Sequence, residues 1–430
     1  LISVQKRPFL AVTQKRGCEF FLLSSGDMLD LELKLGENGL PPEMFPSLLP
    51  MLFFLRRAFG DCCWHNPNPH AALIIDDPTL KPRYGFLSYE RLLREMELHG
   101  FATTIAFIPW NYRRTSPRTA ALFRAHHERL SICIHGCDHT AREFATRDET
   151  LLEYKAGTAL KRVHRHGETT GVTCDPVMVF PQGLFSARAL GALKAQRYLA
   201  AVNTTPFAAG QYDGRLTIAD LLDVAVTAYQ GFPLFIRRYP TEIVPFALDL
   251  FLGKPALIVE HHGYFRQGYN RVAAFIDQIN ALEPRLVWGP LGKALGESAL
   301  YKRLGPANIA VKFYTDNFVV SNVHDRKIVY RLSRRIGASD SVAGVLGSGA
   351  PMDFRAYNGT VEFELELDPG TTTRVEVVGA KNRREPRVKR ALGYDVKVAA
   401  RRFLSEFRDN YVARSPWLLA LSRRIKAPTG

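Results

Sequence analysis

The chain has 430 residues, of which 46% are hydrophobic and 23% are charged. These ordinary globular values exclude a largely disordered chain and predict about two or three domains with a sizeable core. The net charge of +15 favours anionic partners such as acidic glycans, phosphorylated molecules or anionic membranes, and no recognised nucleic-acid-binding module is found. No apolar run reaches the roughly 18 residues that a membrane-spanning helix needs.

The six cysteines bear on the cellular compartment. Cys62 and Cys63 are adjacent, which disfavours an ordinary disulfide between them, and no Cys-x-x-Cys pair exists. Mostly free thiols indicate a reducing compartment. With no recognisable secretory signal, they predict a cytoplasmic protein.

Residues 1–65 are predicted to form an N-terminal extension. A strand-like run covers 18–24, and an amphipathic helix is predicted over 47–59, ending at Gly60. The two prolines in the stretch 65–70 are typical of a linker.

Alternating strands and helices predict an α/β fold over residues 66–297, a distorted (β/α) barrel with a parallel sheet. The apolar run 71–76 has the composition of a strand that is buried on both faces. Further strands are predicted at 103–110, 131–135, 175–181, 198–203, 232–240, 255–262 and 285–291, and helices at 88–100, 121–130, 186–196 and 271–282.

The rest of the chain has a different composition. Strand-like segments separated by turns predict a small antiparallel β-sandwich domain over 298–385. Residues 386–430 are predicted to form a tail of C-terminal basic helices, at 396–412 and 415–425, after the basic stretch 381–390. This tail either docks on the barrel or makes peripheral contact with an anionic membrane surface.

Two adjacent carboxylates, Asp76 and Asp77, end the first strand of the predicted barrel. At the end of a buried strand they repel each other and are costly to desolvate, and a cation would remove much of that cost. The carboxyl ends of the strands form the functional face of α/β barrels. A turn or a helix cap is the alternative explanation for the pair.

The segment His135-Gly136-Cys137-Asp138-His139 ends another predicted strand. Two histidines four residues apart can direct both imidazoles at one point, although solvated loop histidines would have the same spacing. With a carboxylate they make a site of two nitrogens and one oxygen, which leaves coordination positions open for water. Asp138 would orient a ligand histidine or cap the loop.

His261 and His262 end the strand predicted at 255–262. A histidine at such a position suits a general acid near neutral pH, although a hydrogen-bonded core histidine is the alternative. The sequence does not indicate which of the two faces the functional side. Trp110 follows a further predicted strand and offers an aromatic face on which a sugar ring could stack.

In chain order, these groups resemble the motifs of the polysaccharide deacetylase family, carbohydrate esterase family 4, also called the chitooligosaccharide deacetylase homology domain. The resemblance covers roughly residues 71–290. Four motifs carry it: the pair Asp76-Asp77, the His-x-x-x-His of His135 and His139, the loop Pro181-Gln182-Gly183 in place of Arg-x-Pro-x-Gly, and the strand end at His261 and His262. It implies a distorted barrel of the polysaccharide deacetylase type.

The resemblance also implies a metal centre. Asp77, His135 and His139 would bind a divalent cation, and Asp76 would be the general base that deprotonates the attacking water. Zinc is the expected cation, with cobalt, manganese and nickel as alternatives for such a donor set.

Two further roles complete the implied chemistry. His261 or His262 would protonate the leaving amine, and a backbone N–H near Gln182, in the Pro181–Gly183 loop, would help to stabilise the oxyanion.

The sequence departs from the family's motifs. Pro78 stands where a glycine is expected, and Val179 stands where the third motif has the arginine that orients the base. Candidates to replace this arginine are Arg83, Arg142, Arg237 and Arg238, of which the last two are favoured because they end a predicted strand. No convincing fourth motif is found, and Asp220 and Asp223 are weak candidates for it. These departures imply a divergent member with an unusual substrate or weakened activity.

The implied function is that of a metal-dependent hydrolase that removes N-acetyl or O-acetyl groups from a glycan or glycoconjugate. The basic charge of the chain favours an acidic carbohydrate substrate. Two alternatives stay open, because fold does not fix the reaction: another metal-dependent amide or glycosidic hydrolase, or a catalytically weakened glycan-binding protein. The sequence does not indicate the oligomeric state.

Overall fold

A small antiparallel sheet opens the chain in the computed structural model, which describes residues 2–27, 29–36, 45–210, 215–338, 340–379, 386, 388 and 391–415. Its strands are β1 (Ile2–Val4), β2 (Arg7–Lys15) and β3 (Cys18–Leu23), and helix α1 (Phe45–Phe59) follows. Phe21 of β3 packs edge-on against Phe54 of α1, with ring centroids 5.1 Å apart. The predicted strand 18–24 and helix 47–59 agree with β3 and α1.

A curled parallel sheet forms the central unit. Its strands are β4 (His70–Asp76), β7 (Thr103–Phe107), β8 (Leu130–His135), β9 (Cys174–Val179), β10 (Ala200–Asn203), β11 (Leu234–Ile236), β12 (Ala256–His261) and β13 (Val287–Trp288). The order is β11-β10-β9-β8-β7-β4-β12, and β13 pairs with β4. A short hairpin of β5 (Arg83–Tyr84) and β6 (Leu87–Ser88) follows β4. The α/β class with a parallel sheet is confirmed.

Helices connect these strands. They are α2 (Tyr89–His99), α3 (Pro117–Ala125), α4 (Glu149–Thr170), α5 (Ala187–Ala195), α6 (Ile218–Leu222), α7 (Val244–Phe251), α8 (Asn270–Leu282) and α9 (Leu291–Gly296). The sequence prediction began α3 at residue 121, although Ser116 caps the helix and Pro117 starts it. It gave no bounds for α4, which has 22 residues and contains the stretch around His164 and His166 that was predicted to be helical.

Strand alternation places the candidate site. Ala72 and Ile74 pack in the cluster inside the curled sheet, whereas Leu73 and Ile75 pack in the cluster under the helices. Because successive side chains of a strand point to opposite faces, Asp76 shares the inner face with Ala72 and Ile74. Strands β11 and β12 stand at the two edges of the sheet. The sheet curls so that Arg238, two residues after β11, forms a parallel bridge with Ile258 of β12. We call the end at which the strands reach their carboxyl termini the barrel mouth.

Two further sheets follow the parallel one. The strands are β14 (Ala299–Gly305), β15 (Asn308–Phe313), β16 (Asn317–Ser321), β17 (Ile328–Arg335), β18 (Val342–Gly347), β19 (Ala350–Met352), β20 (Arg355–Tyr357), β21 (Thr360–Leu367) and β22 (Thr372–Gly379). The sheet orders are β14-β15-β17-β21-β20 and β16-β22-β18-β19, and side chains of both sheets share one hydrophobic cluster. The expected purely antiparallel pairing is wrong at one place, because β15 and β17 are parallel.

The C-terminal helix α10 (Tyr394–Phe407) continues into one π-helical turn, Arg408–Val412. This agrees with the helix predicted at 396–412. The helix predicted at 415–425 and the basic stretch 381–390 lie almost entirely outside the described residues. Across the described part of the chain, no helix combines the length and the apolar character that crossing a bilayer requires.

A candidate metal centre at the barrel mouth

Asp77, His135 and His139 converge at the barrel mouth. The Oδ1 atom of Asp77 lies 3.6 Å from Nε2 of His135 and 3.2 Å from Nε2 of His139. One donor atom from each residue falls within 4.8 Å of the others. The three residues predicted as ligands therefore share one point, although they come from the ends of two strands and from a loop.

Backbone geometry and a buried carboxylate shape the histidine loop. Gly136 has φ of 67°, and a Cβ there would lie 2.5 Å from both Glu143 Oε2 and Pro181 Cγ, so the loop requires glycine. Glu143 accepts hydrogen bonds from the backbone N–H groups of Cys137, Asp138 and His139 at 3.0, 2.9 and 3.0 Å.

Lys155 balances the charge of Glu143. Its Nζ donates to Glu143 Oε1 at 2.9 Å, and both side chains are buried. Because the carboxylate is fixed by this ion pair and by three peptide groups, it holds the loop that ends in His139.

The protonation states suit metal binding. His135 Nδ1 lies 3.0 Å from the carbonyl oxygen of Val179, which can only accept, so this nitrogen carries the proton and Nε2 has a free lone pair. Burial and the nearby His135 lower the pKa of His139 to about 4, against the opposing effect of Asp77. The Nε2 atom of His135 and the neutral imidazole of His139 thus offer lone pairs to a metal.

The donor set also fits a divalent cation. Asp77 Oδ1 is buried, yet it has no hydrogen-bond partner among the described residues. Such an orphaned carboxylate oxygen is costly unless something else satisfies it. Two imidazole nitrogens and one carboxylate oxygen suit zinc and its neighbours in the first transition series.

Asp76 lies beside this centre and is clamped by Arg237. The Nη1 and Nη2 atoms of Arg237 donate to the two carboxylate oxygens of Asp76 at 2.7 Å each. Both side chains are almost fully buried. Burial alone would raise the pKa of Asp76, but the charge and hydrogen bonds of Arg237, together with His135 and His261, outweigh it and lower the pKa to about 2. Of the four arginine candidates, Arg237 is therefore the one that pairs with Asp76. Arg238 instead pairs with Asp249 of α7.

His261 and His262 face different surroundings. His261 Nε2 lies 3.9 Å from Asp76 Oδ2, and the His261 side chain is 46% exposed. The His262 side chain is only 12% exposed; it lies edge-on to Tyr84 and its Nε2 is 3.6 Å from Asp409 Oδ1. The structure thus brings His261, rather than His262, next to Asp76.

The loop after β9 turns beside the centre. Gln182 has φ of 61°, and its side-chain oxygen accepts the backbone N–H of Arg142 at 3.0 Å. The carbonyl of Gly183 accepts from Asn203 at 3.0 Å, and Pro181 packs close to Gly136. These contacts fix the backbone of the loop without using its N–H at Gln182.

Two expected roles need correction. Asp138 does not contact a ligand histidine: it accepts hydrogen bonds from Arg162 at 2.6 Å and from Tyr394 at 2.7 Å, while a carbonyl orients His135. The Arg162 guanidinium also lies over the ring of Trp110, 4.9 Å from its centroid. One face of the Trp110 ring is therefore occupied by a cation and is not free for a sugar.

The weak candidates for a fourth motif lie elsewhere. Asp220 caps α6 through Thr217, and Asp223 accepts from Lys312 and Tyr314, each at 2.5 Å. Asp220 therefore makes a contact within the parallel-sheet unit, and Asp223 links that unit to the following sheets. Neither of these contacts is at the barrel mouth.

Several residues around the mouth were missed in the sequence. Glu143 could have been found from its spacing, because it lies four residues after His139, just as His139 lies four residues after His135. Tyr84, Arg402 and Asp409 had no local signal, because the hydrogen bond from Tyr84 to Asp409 spans 325 positions of the chain.

Solved structures offer one comparison with known proteins. Neither a protein-family model nor a curated protein matches this chain. It is similar to a family 4 carbohydrate esterase from Streptomyces lividans in complex with acetate, at 13% identity and a TM-score of 0.31, over 52% of this chain and 93% of that one. A family 4 pseudoenzyme from Bacillus anthracis matches at 11% identity and a TM-score of 0.32, over 54% and 67%. An acetyl xylan esterase of family 4 from Clostridium thermocellum, in complex with a cobalt ion, matches at 12% and 0.32, over 52% and 89%.

These three structures belong to carbohydrate esterase family 4. That is the family which the sequence motifs resemble.

Proposed function

We propose that this chain is a divergent member of the polysaccharide deacetylase family, a metal-dependent hydrolase that removes N-acetyl groups, or O-acetyl groups, from a glycan or glycoconjugate. One observation carries the proposal: Asp77, His135 and His139 meet around an orphaned carboxylate oxygen, next to a second carboxylate held by its own arginine. A purely structural ion pair would not need two histidines around Asp77. A purely structural metal site would not need a second carboxylate, Asp76, held by its own arginine.

Asp77, His135 and His139 would hold a divalent cation, zinc being the first choice. Such an ion supplies a Lewis acid that polarises an acyl carbonyl and makes water more acidic. Arg237 keeps Asp76 ionised and fixed, so that its carboxylate can take the proton of the attacking water. Buried groups fixed in advance spare the reaction the cost of reorganisation.

His261 is the proposed general acid for the leaving amine. It lies beside Asp76 and is exposed enough to reach a substrate, whereas His262 is enclosed by Tyr84 and Asp409. The peptide N–H of Gln182, in the loop that its side chain fixes, would donate to the developing oxyanion.

Metal analysis of the purified protein tests the centre. The parent should hold about one equivalent of divalent metal, and Asp77→Ala almost none, because the variant loses the only charged ligand. Asp325→Ala is the matched control, since it removes a carboxylate that is 83% exposed and lies between β16 and β17, outside the parallel sheet. Equal metal in the parent and in Asp77→Ala would defeat the ligand assignment.

Acetate release from N-acetylated oligosaccharides tests the reaction. His261→Ala should lower the release far more than His262→Ala. Reducing ends formed without acetate would indicate a glycosidase, and metal-dependent glycan binding with no product would indicate a weakened glycan-binding protein. Both outcomes would reject the deacetylase proposal and leave the metal centre in place.

We also propose a division of the chain into four parts and a cellular compartment. The sequence divides into 1–65 as an extension, 66–297 as the deacetylase-like barrel, 298–385 as a β-sandwich accessory domain and 386–430 as the tail. The shared core of the two later sheets supports the accessory domain. Six free cysteines support a reducing, cytoplasmic compartment.

A further inference from the structure

The C-terminal segment 394–413, here the cap segment, crosses the barrel mouth. It is held by loops that follow four different strands of the parallel sheet. The bonds are Tyr394 to Asp138 at 2.7 Å, Arg114 to Glu406 at 2.8 Å, Tyr84 to Asp409 at 2.8 Å, the Gly85 N–H to Asn410 at 2.8 Å, and Arg266 to the Ala413 carbonyl at 3.0 Å. A segment with this many polar anchors has a defined place over the site.

Arg402 lies eight residues after the anchor Tyr394 and four residues before the anchor Glu406, on the face of α10 that meets the barrel mouth. The residue is only 6% exposed. One terminal nitrogen donates to Ser405 at 3.1 Å, and Nε has no hydrogen-bond partner in the described part of the chain. Burial lowers the pKa of Arg402 and the charge of Asp77 opposes this, as expected for a helix anchored across the barrel mouth. A buried cation with an unsatisfied donor is costly unless an anion completes it.

The acidic groups nearby do not supply that anion. Asp409 already accepts from Tyr84 at 2.8 Å and from Arg408 at 2.7 Å, and it faces His262. Asp77 would be neutralised by a cation in the metal centre. Arg402 would then face like charge rather than opposite charge, and a negative group brought in by a ligand would relieve the repulsion.

We propose that Arg402 binds an anionic group, a carboxylate or a phosphate, on the acylated substrate. This rests on the proposed function and names its substrate class, an anionic glycan or glycoconjugate with the negative group close to the acyl group. The guanidinium suits both groups because its planar array of donors matches carboxylate and phosphate oxygens.

Three probes test the proposal on the full chain loaded with zinc. They are a neutral N-acetylglucosamine tetrasaccharide, a tetrasaccharide of alternating N-acetylglucosamine and glucuronic acid, and an N-acetylglucosamine disaccharide carrying a phosphate. The parent should show higher kcat/KM on one anionic probe than on the neutral one, and the probe that responds identifies the anion. Arg402→Gln should reduce this preference about 10- to 100-fold, the range for a lost charge-assisted hydrogen bond.

Arg401→Gln is the matched control, because it removes the same charge from the neighbouring, more exposed position. It should keep the preference. If Arg402→Gln does not fold, Arg402→Lys keeps the charge without the fork and should lose part of the preference. An equal rate on all probes, or a preference that survives at position 402, would overturn the proposal.

Binding of the same probes by calorimetry separates this proposal from the catalytic one. If no probe is hydrolysed, the proposed reaction fails, yet tighter binding of an anionic probe that depends on Arg402 still supports the subsite. Equal binding of neutral and anionic probes would reject the subsite whether or not acetate is released.

Discussion

The buried pair of Asp76 and Arg237 gives the sharpest test of the site's construction. Arg237→Met keeps most of the aliphatic stem but removes the charge and two hydrogen bonds of 2.7 Å. Asp76, 2% exposed, is then left as a buried carboxylate without its cation. Breaking a buried ion pair in this way costs about 3–5 kcal/mol, so we expect the free energy of unfolding to fall by that amount.

Urea unfolding of metal-free protein measures the effect, followed by the fluorescence of Trp110 and Trp288 in the parallel-sheet unit and by circular dichroism. The double variant Asp76→Asn, Arg237→Met has no charge at either position and should regain most of the lost free energy of unfolding. Neither the single nor the double variant should hydrolyse substrate. A loss below about 1 kcal/mol in the single variant, or a double variant no more stable than the single one, would refute the reasoning.

Two other predictions concern carboxylates outside the reacting groups. Glu143→Gln should weaken metal binding about 10- to 100-fold in chelator competition, because a neutral amide holds the loop N–H groups less firmly; unchanged affinity would contradict the role of Glu143. Burial raises the pKa of Asp175 to about 6, so its protonated form adds stability below the unfolded pKa of about 4, and this is lost as the pH rises through 6. Asp175→Asn should therefore remove a loss of about 2–3 kcal/mol between pH 4 and 7, seen as a flatter pH dependence of the urea midpoint, and identical profiles would count against it.

The sequence predicts the centre of this fold well because its strands are unusual. Runs such as 71–76, 131–135 and 255–262 are apolar on both faces, and each places polar residues where the strand stops. Since parallel strands share one functional end, strand order predicts that the Asp76-Asp77 pair lies near His135 and His139. The choice of Asp77 as the carboxylate that joins the histidines came from the resemblance to the family.

Other elements give weaker or longer-range signals. Helix α4 buries small residues such as Ala156 and Ala159 between many charged ones, so its apolar stripe is faint. The partner of Asp76 could be narrowed to four arginines but not chosen, because the choice depends on how far the sheet curls. The contacts of the cap segment are harder still to predict, because they join residues 147 to 325 positions apart and no local pattern encodes them.

Charge around the mouth connects these observations. Asp76 is balanced by Arg237, Asp409 by Arg408, Asp138 by Arg162 and Glu143 by Lys155. Among the described residues, Asp77 Oδ1 and Arg402 Nε are buried without a hydrogen-bond partner. With neutral histidines, a divalent cation there leaves the site with an excess of about two positive charges, by simple addition of formal charges. A developing oxyanion offsets one of them, and an anionic group of the substrate would offset the other, so one electrostatic arrangement would favour both the reaction and an acidic substrate.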